Sequence, residues 1–301
     1  YFDNEKRIVV TEVMNLRQKQ SDGADFTGEK VPTVIALYHN RVLVGEGAAN
    51  LKYELEKNKD VWYSFKMELG EDLGAKYCNS ILGKDKSVRI QNAKDATILF
   101  FRFLKKEIES YVEQKGLCQN IKYAVSIPAS FEANQRRDLV DALISNQMDV
   151  SKQSLIDEPN AAFLNYIHES EMNNEAVVIP KDINPKMLVF DFGAGTCDIS
   201  ILEIGVDYKG VYSKNLSISK FEKLGGNDID RYIAYEILYP ELLSHNHLDM
   251  DIFIMSEKKK IINALLTTAE NLKIRICKAI SLMRDSFDLS GLEQEYKVFV
   301  K

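Results

Sequence analysis

The sequence predicts an α/β protein built from two lobes, and three features of the chain support this fold class. Short apolar strands alternate with helical patterns up to about residue 167. Residues 168–186 are polar and contain two prolines, and a new apolar strand begins after them. A chain of 301 residues is long enough to form two cores. We therefore predict a first lobe at 1–167, a connecting segment at 168–186 and a second lobe at 187–301.

Two residue spacings predict the elements of the first lobe. Apolar residues at positions 99, 100, 103, 104, 108, 111 and 112 recur at helical spacing, so we predict a helix from about Ala93 to Gln114. Alternation of Tyr123, Val125 and Ile127 predicts a strand that ends at Pro128. The other predicted elements are strands at 7–10, 33–37, 42–44 and 154–156, a helical segment from 45 to about 58, and helices after Pro128 and from Pro159.

The second lobe is predicted to begin with a strand at 187–190. Its continuous apolar run is typical of a strand that is covered on both faces. A glycine turn follows, and then a second strand from 198 to about 204. The last predicted element is a helix from about 256 to 280, because its apolar residues recur at helical spacing.

Charge and composition argue against several classes of protein. The net charge of −6 is unlike that of proteins that bind nucleic acid through phosphate contacts, which are normally basic. No run of about 18 apolar residues occurs, so no membrane span is expected. The four cysteines, Cys78, Cys118, Cys197 and Cys277, form no Cys-x-x-Cys pair, which argues against a zinc site or a disulfide framework. We expect a soluble, cytoplasmic protein without nucleic-acid or membrane partners.

The turn at residues 191–198, Asp-Phe-Gly-Ala-Gly-Thr-Cys-Asp, combines groups that phosphoryl transfer requires. Gly193 and Gly195 allow a positive φ and a close approach of backbone N–H groups to an anion, and Thr196 adds a hydroxyl donor. Asp191 and Asp198 are oxygen ligands suited to magnesium through its waters. The alternative is a plain hairpin turn with a glycine bulge. The two acids and the buried strand favour a phosphate site over that alternative.

A second glycine turn lies at residues 224–230, Leu-Gly-Gly-Asn-Asp-Ile-Asp. Asn227 is a candidate N-cap for the helix that follows. A helix N-terminus after two glycines can bind an anion. Taken alone, however, these residues are more often a simple turn between a strand and a helix.

Several other residues carry both a functional and an ordinary interpretation. Glu158 lies at the start of a helix, where a carboxylate also stabilises the helix dipole. Lys66 has aromatic neighbours, although a lone lysine is usually solvated. Pro128, with Arg136 further on, could simply end a strand and expose a basic helix face. These residues by themselves do not decide between the functional and the ordinary interpretation.

The order of the motifs resembles the ATPase domain of the heat shock protein seventy family, the DnaK-type chaperones. The resemblance extends from about residue 7 to 301 and implies an actin-like ATPase fold, with two ribonuclease H-like lobes around a nucleotide cleft. It also implies ATP/ADP and Mg²⁺ as cofactors. Four segments carry it: 126–131 (Ser-Ile-Pro-Ala-Ser-Phe) with Gln135 and Arg136, 156–162 (Ile-Asp-Glu-Pro-Asn-Ala-Ala), 189–198 (Val-Phe followed by the first glycine turn) and 224–230 (the second glycine turn).

The resemblance implies roles for several charged residues. Lys66 would reach the γ-phosphate and the attacking water. Glu158 and Asp191 would lie near the magnesium and its waters, and Asp198 would also contact the metal through water and help to position the attacking water. Thr196 would belong to the same catalytic set.

The resemblance also implies a set of residues that contact the nucleotide. Those of the first glycine turn would line the phosphates, and those of the second would approach the nucleotide from the second lobe. Residues one to two turns apart on the last helix fall where the family contacts ribose and adenine. In chain order the set comprises Gly193, Ala194, Gly195, Thr196, Gly225, Gly226, Glu270, Lys273, Ile274 and Cys277.

The chain departs from the family pattern at two residues and at both ends. Ile274 stands where the family usually has an arginine over the adenine ring, so a cation–π attraction of about 0.5–2 kcal/mol is absent. Ala194 replaces a usual glycine. The family's first phosphate loop and its second adenosine-binding segment are missing from the sequence. We therefore expect a domain truncated at both ends, and poor hydrolysis from these residues alone.

Partners follow from the same resemblance. Pro128 and Arg136 resemble the pair that relays the nucleotide state toward a substrate-binding part, which implies peptide clients, a co-chaperone or a nucleotide-exchange factor. Two other hypotheses stay open on the sequence. One is a non-hydrolysing nucleotide-binding or partner-binding module, motivated by the missing ends and Ile274. The other is a small-molecule kinase or a filament-forming relative of the same fold.

Overall fold

The chain divides into two units, each held together mainly by its own contacts. Unit 1 comprises Tyr1–Phe192 and Cys197–Lys223, and unit 2 comprises Gly193–Thr196 and Leu224–Lys301. The first glycine turn thus belongs to unit 2, whereas the strands that it joins belong to unit 1. Within these units the computed structural model describes residues 2–3, 8–9, 11–71, 77, 80–82, 88–118, 120–148, 150, 154–173, 179, 183–208, 210–219, 223–249 and 251–283.

Unit 1 begins with antiparallel strands. Strands β1 (Phe2–Asp3) and β2 (Ile8–Val9) pair with each other, as do β3 (Leu16–Lys19) and β4 (Asp25–Gly28). A three-stranded sheet follows, in which β5 (Val34–Tyr38) lies between β6 (Arg41–Val44) and β7 (Val61–Tyr63). His39 and Asn40 connect β5 to β6 with φ values of 48° and 59°, as a tight hairpin turn requires.

Short helical and strand segments connect this sheet to the first long helix. Helix α1 (Glu46–Ala49) follows β6, and a 3₁₀ segment, Phe65–Glu68, follows β7. The hairpin of β8 (Ser80–Leu82) and β9 (Val88–Ile90) leads into α2 (Ala93–Gln114). The Asn92 side chain caps α2 by accepting a 2.9 Å hydrogen bond from the Asp95 amide.

A parallel strand pair with a helical crossover forms the next part of unit 1. Strand β10 (Val125–Ile127) is followed by α3 (Ala133–Ser145), and β11 (Leu155–Asp157) then pairs in parallel with β10. Glu132 and Gln135 form a capping box at the start of α3. Helix α4 (Glu158–Met172) begins directly where β11 ends.

The main core of unit 1 lies between the 3₁₀ segment, α2, β10 and α3. Its buried residues come from segments far apart in the sequence, so burial of apolar surface fixes the positions of these elements against one another. The members of this core include Trp62, Phe65, Leu69, Leu99, Phe100, Ile127, Leu139 and Leu143.

Unit 1 ends in an antiparallel sheet of three consecutive strands, β12 (Lys186–Phe192), β13 (Cys197–Asp207) and β14 (Gly210–Ile218). One face packs on α4, where Phe163 contacts the buried Leu202 and Ile204. On the other face Leu188 and Phe190 are 63% and 59% exposed. The prediction that residues 187–190 are covered on both faces is therefore wrong for the described part of the chain, because an antiparallel sheet needs packing on one face only.

Unit 2 is mainly helical in its described residues. Helix α5 (Gly226–Tyr232) continues through a π-helical segment, Ile233–Leu238, into α6 (Tyr239–His245). These turns pack against α7 (Met255–Met283), with Tyr239, Leu243 and Ile262 buried between them. None of the helices described in either unit is both long enough and apolar enough to cross a membrane.

The predicted elements are largely confirmed. The helix at Ala93–Gln114 has the predicted bounds, and the last helix extends the predicted one by a few residues. In the predicted strand at 7–10, only Ile8 and Val9 lie within the described residues, and they form a strand. The prediction lacks seven of the described strands: β1, β3, β4, β7, β8, β9 and β14. The helical segment predicted from 45 to about 58 is an α-helix only over Glu46–Ala49.

The grouping of the chain differs from the predicted boundary. Strands β12 to β14 group with the residues before them, because Phe163 of α4 packs on this sheet. Much of the predicted connecting segment, namely 174–178 and 180–182, lies outside the described residues. The division into two lobes around a cleft stays a prediction.

Candidate functional site

Lys66 and Glu158 form an ion pair in unit 1. Lys66 lies on the 3₁₀ segment that follows β7 in the chain, and its neighbour Phe65 is buried in the core. Glu158 is the first residue of α4, and its Oε1 accepts a 2.7 Å hydrogen bond from Lys66 Nζ. The lysine side chain is 44% exposed, so solvent screening keeps the pair weak and the ammonium accessible. Two predicted catalytic residues, 92 positions apart, are thus brought together.

A pocket of about 130 Å³ lies beside this ion pair. Lys66 lines it together with apolar side chains from the 3₁₀ segment, α2 and β10, including Phe65, Phe100 and Ile127. Pro128 and Phe131, from the loop after β10, complete the lining. The Lys66 ammonium is therefore held at the edge of an apolar surface.

Arg136 holds the loop that follows β10. Its guanidinium donates hydrogen bonds to the carbonyl oxygens of Phe131 at 2.9 Å, Ala129 at 3.2 Å and Pro128 at 3.4 Å. It also pairs with Asp157, with 2.9 Å between Nη2 and Oδ1. The predicted pair of Pro128 and Arg136 is thus in direct contact, and Asp157 is a partner that the sequence interpretation missed.

Asp198 is buried and has a hydroxyl partner. Ser130 Oγ donates a 2.6 Å hydrogen bond to Asp198 Oδ1 and thereby connects the loop after β10 to β13. Asp191 lies directly opposite Asp198 in the β12–β13 ladder, so both side chains leave the same face of the hairpin. Asp191 is exposed. The structure therefore places the two acids of the first glycine turn side by side.

Strand β14 is tied to the start of α4 by two amide side chains. Asn215 donates a 2.8 Å hydrogen bond to Asp157 Oδ2, and Asn160 donates one of 2.8 Å to the Ser213 hydroxyl. Asp157 therefore accepts hydrogen bonds from α3 and from β14 while it immediately precedes Glu158. The sequence gives no sign of these bonds, because isolated polar residues far apart show no periodicity.

The two glycine turns meet in unit 2, and we call residues 193–196 with 225–227 the glycine corner. The Gly226 amide donates to the Gly193 carbonyl at 3.0 Å, and the Asn227 amide donates to the Ala194 carbonyl at 2.8 Å. The Gly193 amide also donates to the Thr196 carbonyl at 2.8 Å and closes the first turn. The corner is therefore built from backbone groups.

Position 225 requires a glycine because the two glycine turns approach each other closely there. A Cβ atom at this position would lie 2.7 Å from three backbone atoms of the first turn, in Gly193, Ala194 and Gly195. Neither Gly193 nor Gly195 is among the described glycines with a positive φ. Close approach of the backbone is what requires a glycine in this corner, and that glycine is in the second turn.

Asn227 is not the N-cap of α5. The helix begins at Gly226, with Gly225 in the capping position, and the Asp228 carboxylate accepts a 2.9 Å hydrogen bond from the Gly225 amide. The prediction failed because Asn is a common capping residue, whereas here an aspartate further along bonds back to the start of the helix.

Lys273 of α7 is bonded to α5. Its ammonium donates to the Gly226 carbonyl at 2.8 Å and to Asp230 Oδ2 at 2.7 Å. Glu270 and Cys277 lie one turn before and one turn after it on α7, and Cys277 is exposed. Ile274 is 54% exposed. Lys273 thus connects α7 to the glycine corner through Gly226.

The predicted site residues are thus distributed over both units. Unit 1 contains the charged set with Pro128 and Arg136, and unit 2 contains the glycine corner and α7. Among the described residues, no group of three or more His, Cys, Asp or Glu side chains could hold a metal ion by itself. A magnesium ion near the acidic residues of unit 1 would need other ligands, and phosphate oxygens and water are its usual ones.

Comparison with protein families agrees with these motifs. The family model described as Hsp70 protein matches residues 27–298, which is most of the chain. This range contains the Lys66–Glu158 ion pair, the loop after β10 and both segments of the glycine corner. The chain belongs to the Hsp70 protein family and comprises a nucleotide-binding domain of that family of chaperones.

Proposed function

We propose that this domain binds ATP with magnesium and hydrolyses it slowly, and that it has the actin-like fold with two lobes around a nucleotide cleft. The observation that carries the proposal is the ion pair between Lys66 and Glu158. The family resemblance assigns these two residues to the γ-phosphate and to the metal-bound water, and they lie 2.7 Å apart. Transfer of a phosphoryl group to water uses a cation to offset the phosphate charge and a polar group to position the water, and these two side chains can supply both.

In this proposal, Lys66 and Glu158 exchange partners when nucleotide binds. The ammonium is partly exposed and can turn from Glu158 to a phosphate oxygen. Glu158 is then left as an acceptor for water. Asp198 is buried and fixed by Ser130, so it is suited to orient a second water rather than to move.

Magnesium fits this donor set as an ion bound mainly by phosphate oxygens and water. The described residues contain no all-protein cage, and Mg²⁺ commonly binds through one or two carboxylates plus substrate phosphates. Asp191 and Asp198 face the same side of the hairpin and, with Glu158, are the proposed ligands through water. When bound, the ion would offset phosphate charge.

The glycine corner is the proposed phosphate-binding part of unit 2. Gly193, Ala194, Gly195 and Thr196 form a turn closed by a backbone hydrogen bond, and Gly225 approaches it closely. Backbone groups fixed in this way need no reorganisation when charge develops on a ligand. We propose that Glu270, Lys273, Ile274 and Cys277 contact the nucleoside.

Arg136 is proposed to report the nucleotide state to partners. Its guanidinium is hydrogen-bonded to the Pro128 carbonyl and pairs with Asp157, the residue next to Glu158. A shift of Glu158 would therefore also displace the loop after β10. Peptide clients, a co-chaperone or a nucleotide-exchange factor are the proposed partners. Three described cysteines are free, which fits a reducing compartment such as the cytoplasm.

The test is ATP turnover by the full-length protein and by Lys66→Ala and Glu158→Gln variants. We expect each variant to lower the single-turnover rate by about 10²–10³-fold, the effect of removing one preorganised charge-stabilising group. Lys59→Ala is the matched control, because Lys59 pairs with Glu56 on the surface at 3.1 Å, and it should leave the rate unchanged.

Calorimetry with ADP and magnesium separates binding from chemistry. Tight binding without turnover by the unaltered protein would favour the non-hydrolysing module and contradict the proposed hydrolysis. Equal rates for the unaltered protein and both site variants would remove Lys66 and Glu158 from the mechanism.

A further inference from the structure

Ser130 lies in the loop after β10, and its hydroxyl donates to Asp198, the carboxylate proposed to orient a water. We propose that Ser130 is a positioning residue for hydrolysis. Its hydroxyl fixes the direction of the Asp198 carboxylate, so it acts on the rate of hydrolysis and not on the affinity for nucleotide. This inference rests on the proposed function, since it concerns how one group of the same site is held.

The bond between Ser130 and Asp198 has the geometry of a strong hydrogen bond. The 2.6 Å between Ser130 Oγ and Asp198 Oδ1 is typical of a hydroxyl that donates to a charged carboxylate. Asp198 is 6% exposed, so water reaches little of it. Among the residues that the structure describes, Ser130 is the one donor to this carboxylate. The orientation of Asp198 therefore depends on this hydroxyl.

The loop that carries Ser130 is itself fixed on both sides. The Phe131 amide donates a 3.1 Å hydrogen bond to the Pro128 carbonyl, and the Phe131 ring is buried in the core. Arg136 donates to the carbonyl oxygens of Ala129 and Phe131, the two neighbours of Ser130. The serine hydroxyl is therefore held in place by its backbone, and the carboxylate is oriented to it.

A carboxylate needs such a fixed donor because its own torsion is soft. The terminal torsion of an aspartate has broad, roughly two-fold wells, so the position of Cβ alone does not set the direction of the two oxygens. With Oδ1 of Asp198 bonded to Ser130, Oδ2 is the oxygen left to accept a hydrogen bond from water. Misplacement of a group by about 1 Å at a reacting centre can cost about 10²-fold in rate. Loss of the hydroxyl would keep the charge and release its direction.

A purely structural role for Ser130 would produce a different pattern. A hydrogen bond that only stabilises the fold changes the fraction of folded molecules and leaves the rate of each folded molecule unchanged. An effect that reaches the site through the loop, and not through Asp198, would persist when Asp198 is replaced. The rate of folded protein, with and without Asp198, therefore distinguishes the three roles.

The experiment measures the single-turnover hydrolysis rate and the ATP dissociation constant of the full-length protein with magnesium, at a temperature where circular dichroism shows each variant folded. We expect Ser130→Ala to lower the rate by about 10–100-fold and to change the dissociation constant by less than about threefold. In an Asp198→Ala background the same change should alter the rate by less than about twofold, because its partner is already gone. Ser145→Ala, which removes an exposed hydroxyl bonded within its own helix, is the matched control and should change neither quantity.

Two further variants separate the hydroxyl from the volume of the side chain. Threonine and valine have nearly the same shape and differ in the hydroxyl. Ser130→Thr should keep the rate within about threefold of the unaltered protein, whereas Ser130→Val should lower it by about 10–100-fold. If Ser130→Ala does not fold, this pair decides by the same measurement.

The outcomes separate this role of Ser130 from the function on which it rests. If the unaltered protein hydrolyses no ATP, the proposed hydrolysis is wrong and the inference goes with it. If the unaltered protein hydrolyses ATP and Ser130→Ala is equally fast, the inference alone is wrong and the bond is structural. Equal losses of rate in the presence and in the absence of Asp198 would also overturn it, because Ser130 would then act by another route.

Discussion

Asn215 donates a 2.8 Å hydrogen bond from its side-chain amide to Asp157 Oδ2, although the two residues are 58 positions apart. The other oxygen of the same carboxylate pairs with Arg136 at 2.9 Å. Asp157 thus joins helix α3 to strand β14 and stands next to Glu158. The sheet at 186–218 and the charged residues of unit 1 are held in one arrangement by this carboxylate.

Removing the side-chain amide of Asn215 should lower the stability of unit 1. We expect Asn215→Ala to lower the free energy of unfolding by about 1–3 kcal/mol, because a hydrogen bond to a half-buried charged acceptor is lost. Urea unfolding followed by circular dichroism measures this. Asn165→Ala is the matched control, since Asn165 bonds to the Glu169 carboxylate at 2.9 Å in an exposed position, and it should change stability by less than about 0.5 kcal/mol. Equal losses of stability in the two variants would show that the hydrogen bond to Asp157 stabilises the protein no more than an exposed one does.

A side chain at position 225 should open the glycine corner. We expect Gly225→Ala to destabilise the protein by about 1–3 kcal/mol and to weaken ADP binding, because its Cβ would lie 2.7 Å from backbone atoms that cannot rotate away. Gly193→Ala is the matched control for stability alone, since the nearest atom to its Cβ is 3.6 Å away. Thermal unfolding with and without ADP measures both effects. A fully stable Gly225→Ala variant would contradict the close approach.

The hydroxyl of Ser130 should contribute measurably to the stability of the protein. We expect Ser130→Ala to cost about 1–3 kcal/mol of unfolding free energy, because the buried Asp198 carboxylate loses a 2.6 Å hydrogen bond. Ser145→Ala removes a hydroxyl that donates to a carbonyl of its own helix at an exposed position, and it should cost less than about 0.5 kcal/mol. Denaturant titration of the two variants in parallel checks the difference, and a neutral Ser130→Ala would argue against the bond.

Tyr77 should make stability depend on alkaline pH. Burial raises the pKa of Tyr77 well above its usual range, and the 2.6 Å hydrogen bond to Glu68 with the charge of that carboxylate adds to the effect. Above about pH 10 the unfolded chain releases the Tyr77 proton while the folded protein keeps it, so the free energy of unfolding falls by up to about 1.4 kcal/mol per pH unit. Below pH 10 this contribution is fully present.

The Tyr77→Phe variant isolates this effect. We expect the unaltered protein to be more stable at pH 7, where its hydrogen bond to Glu68 is intact, and the difference to shrink as the pH rises above 10. Denaturant unfolding at pH 7 to 11 measures the difference. Tyr208→Phe, at a side chain that is 91% exposed, should show no such change with pH. A difference that stays constant across this range would contradict the raised pKa.

Regular spacing made the long elements predictable. The apolar spacing of Ala93–Gln114 and of the last helix reflects one buried face, and each helix was found at or near its predicted bounds. Strand β3 escaped prediction because it reads Leu-Arg-Gln-Lys, with one apolar residue in four. Its Gln18 is buried all the same, since the side chain donates to the Lys30 carbonyl and accepts from the Glu46 amide. A polar residue that finds partners in the core gives no periodic pattern.

The candidate site was predictable as a set of residues and not as an arrangement. The motifs indicated Glu158 and the two glycine turns, the family resemblance added Lys66, and the structure shows which of these residues are in contact. Ser130 and Asp157 lie within the motif segments, but their roles could not be predicted from sequence, because a serine or an aspartate near a turn has many ordinary explanations. Their importance lies in partners that are distant in the chain.

Backbone atoms alone join the two halves of the glycine corner, and this has an evolutionary consequence. The carbonyl of residue 194 and the amide of residue 227 exist whatever side chain stands there, proline at 227 excepted because it has no amide hydrogen. Neutral drift can therefore exchange side chains at 194 and 227 over generations while descendants inherit the same loop geometry. Position 225 has no such freedom, so we expect selection to retain glycine there wherever the corner is kept.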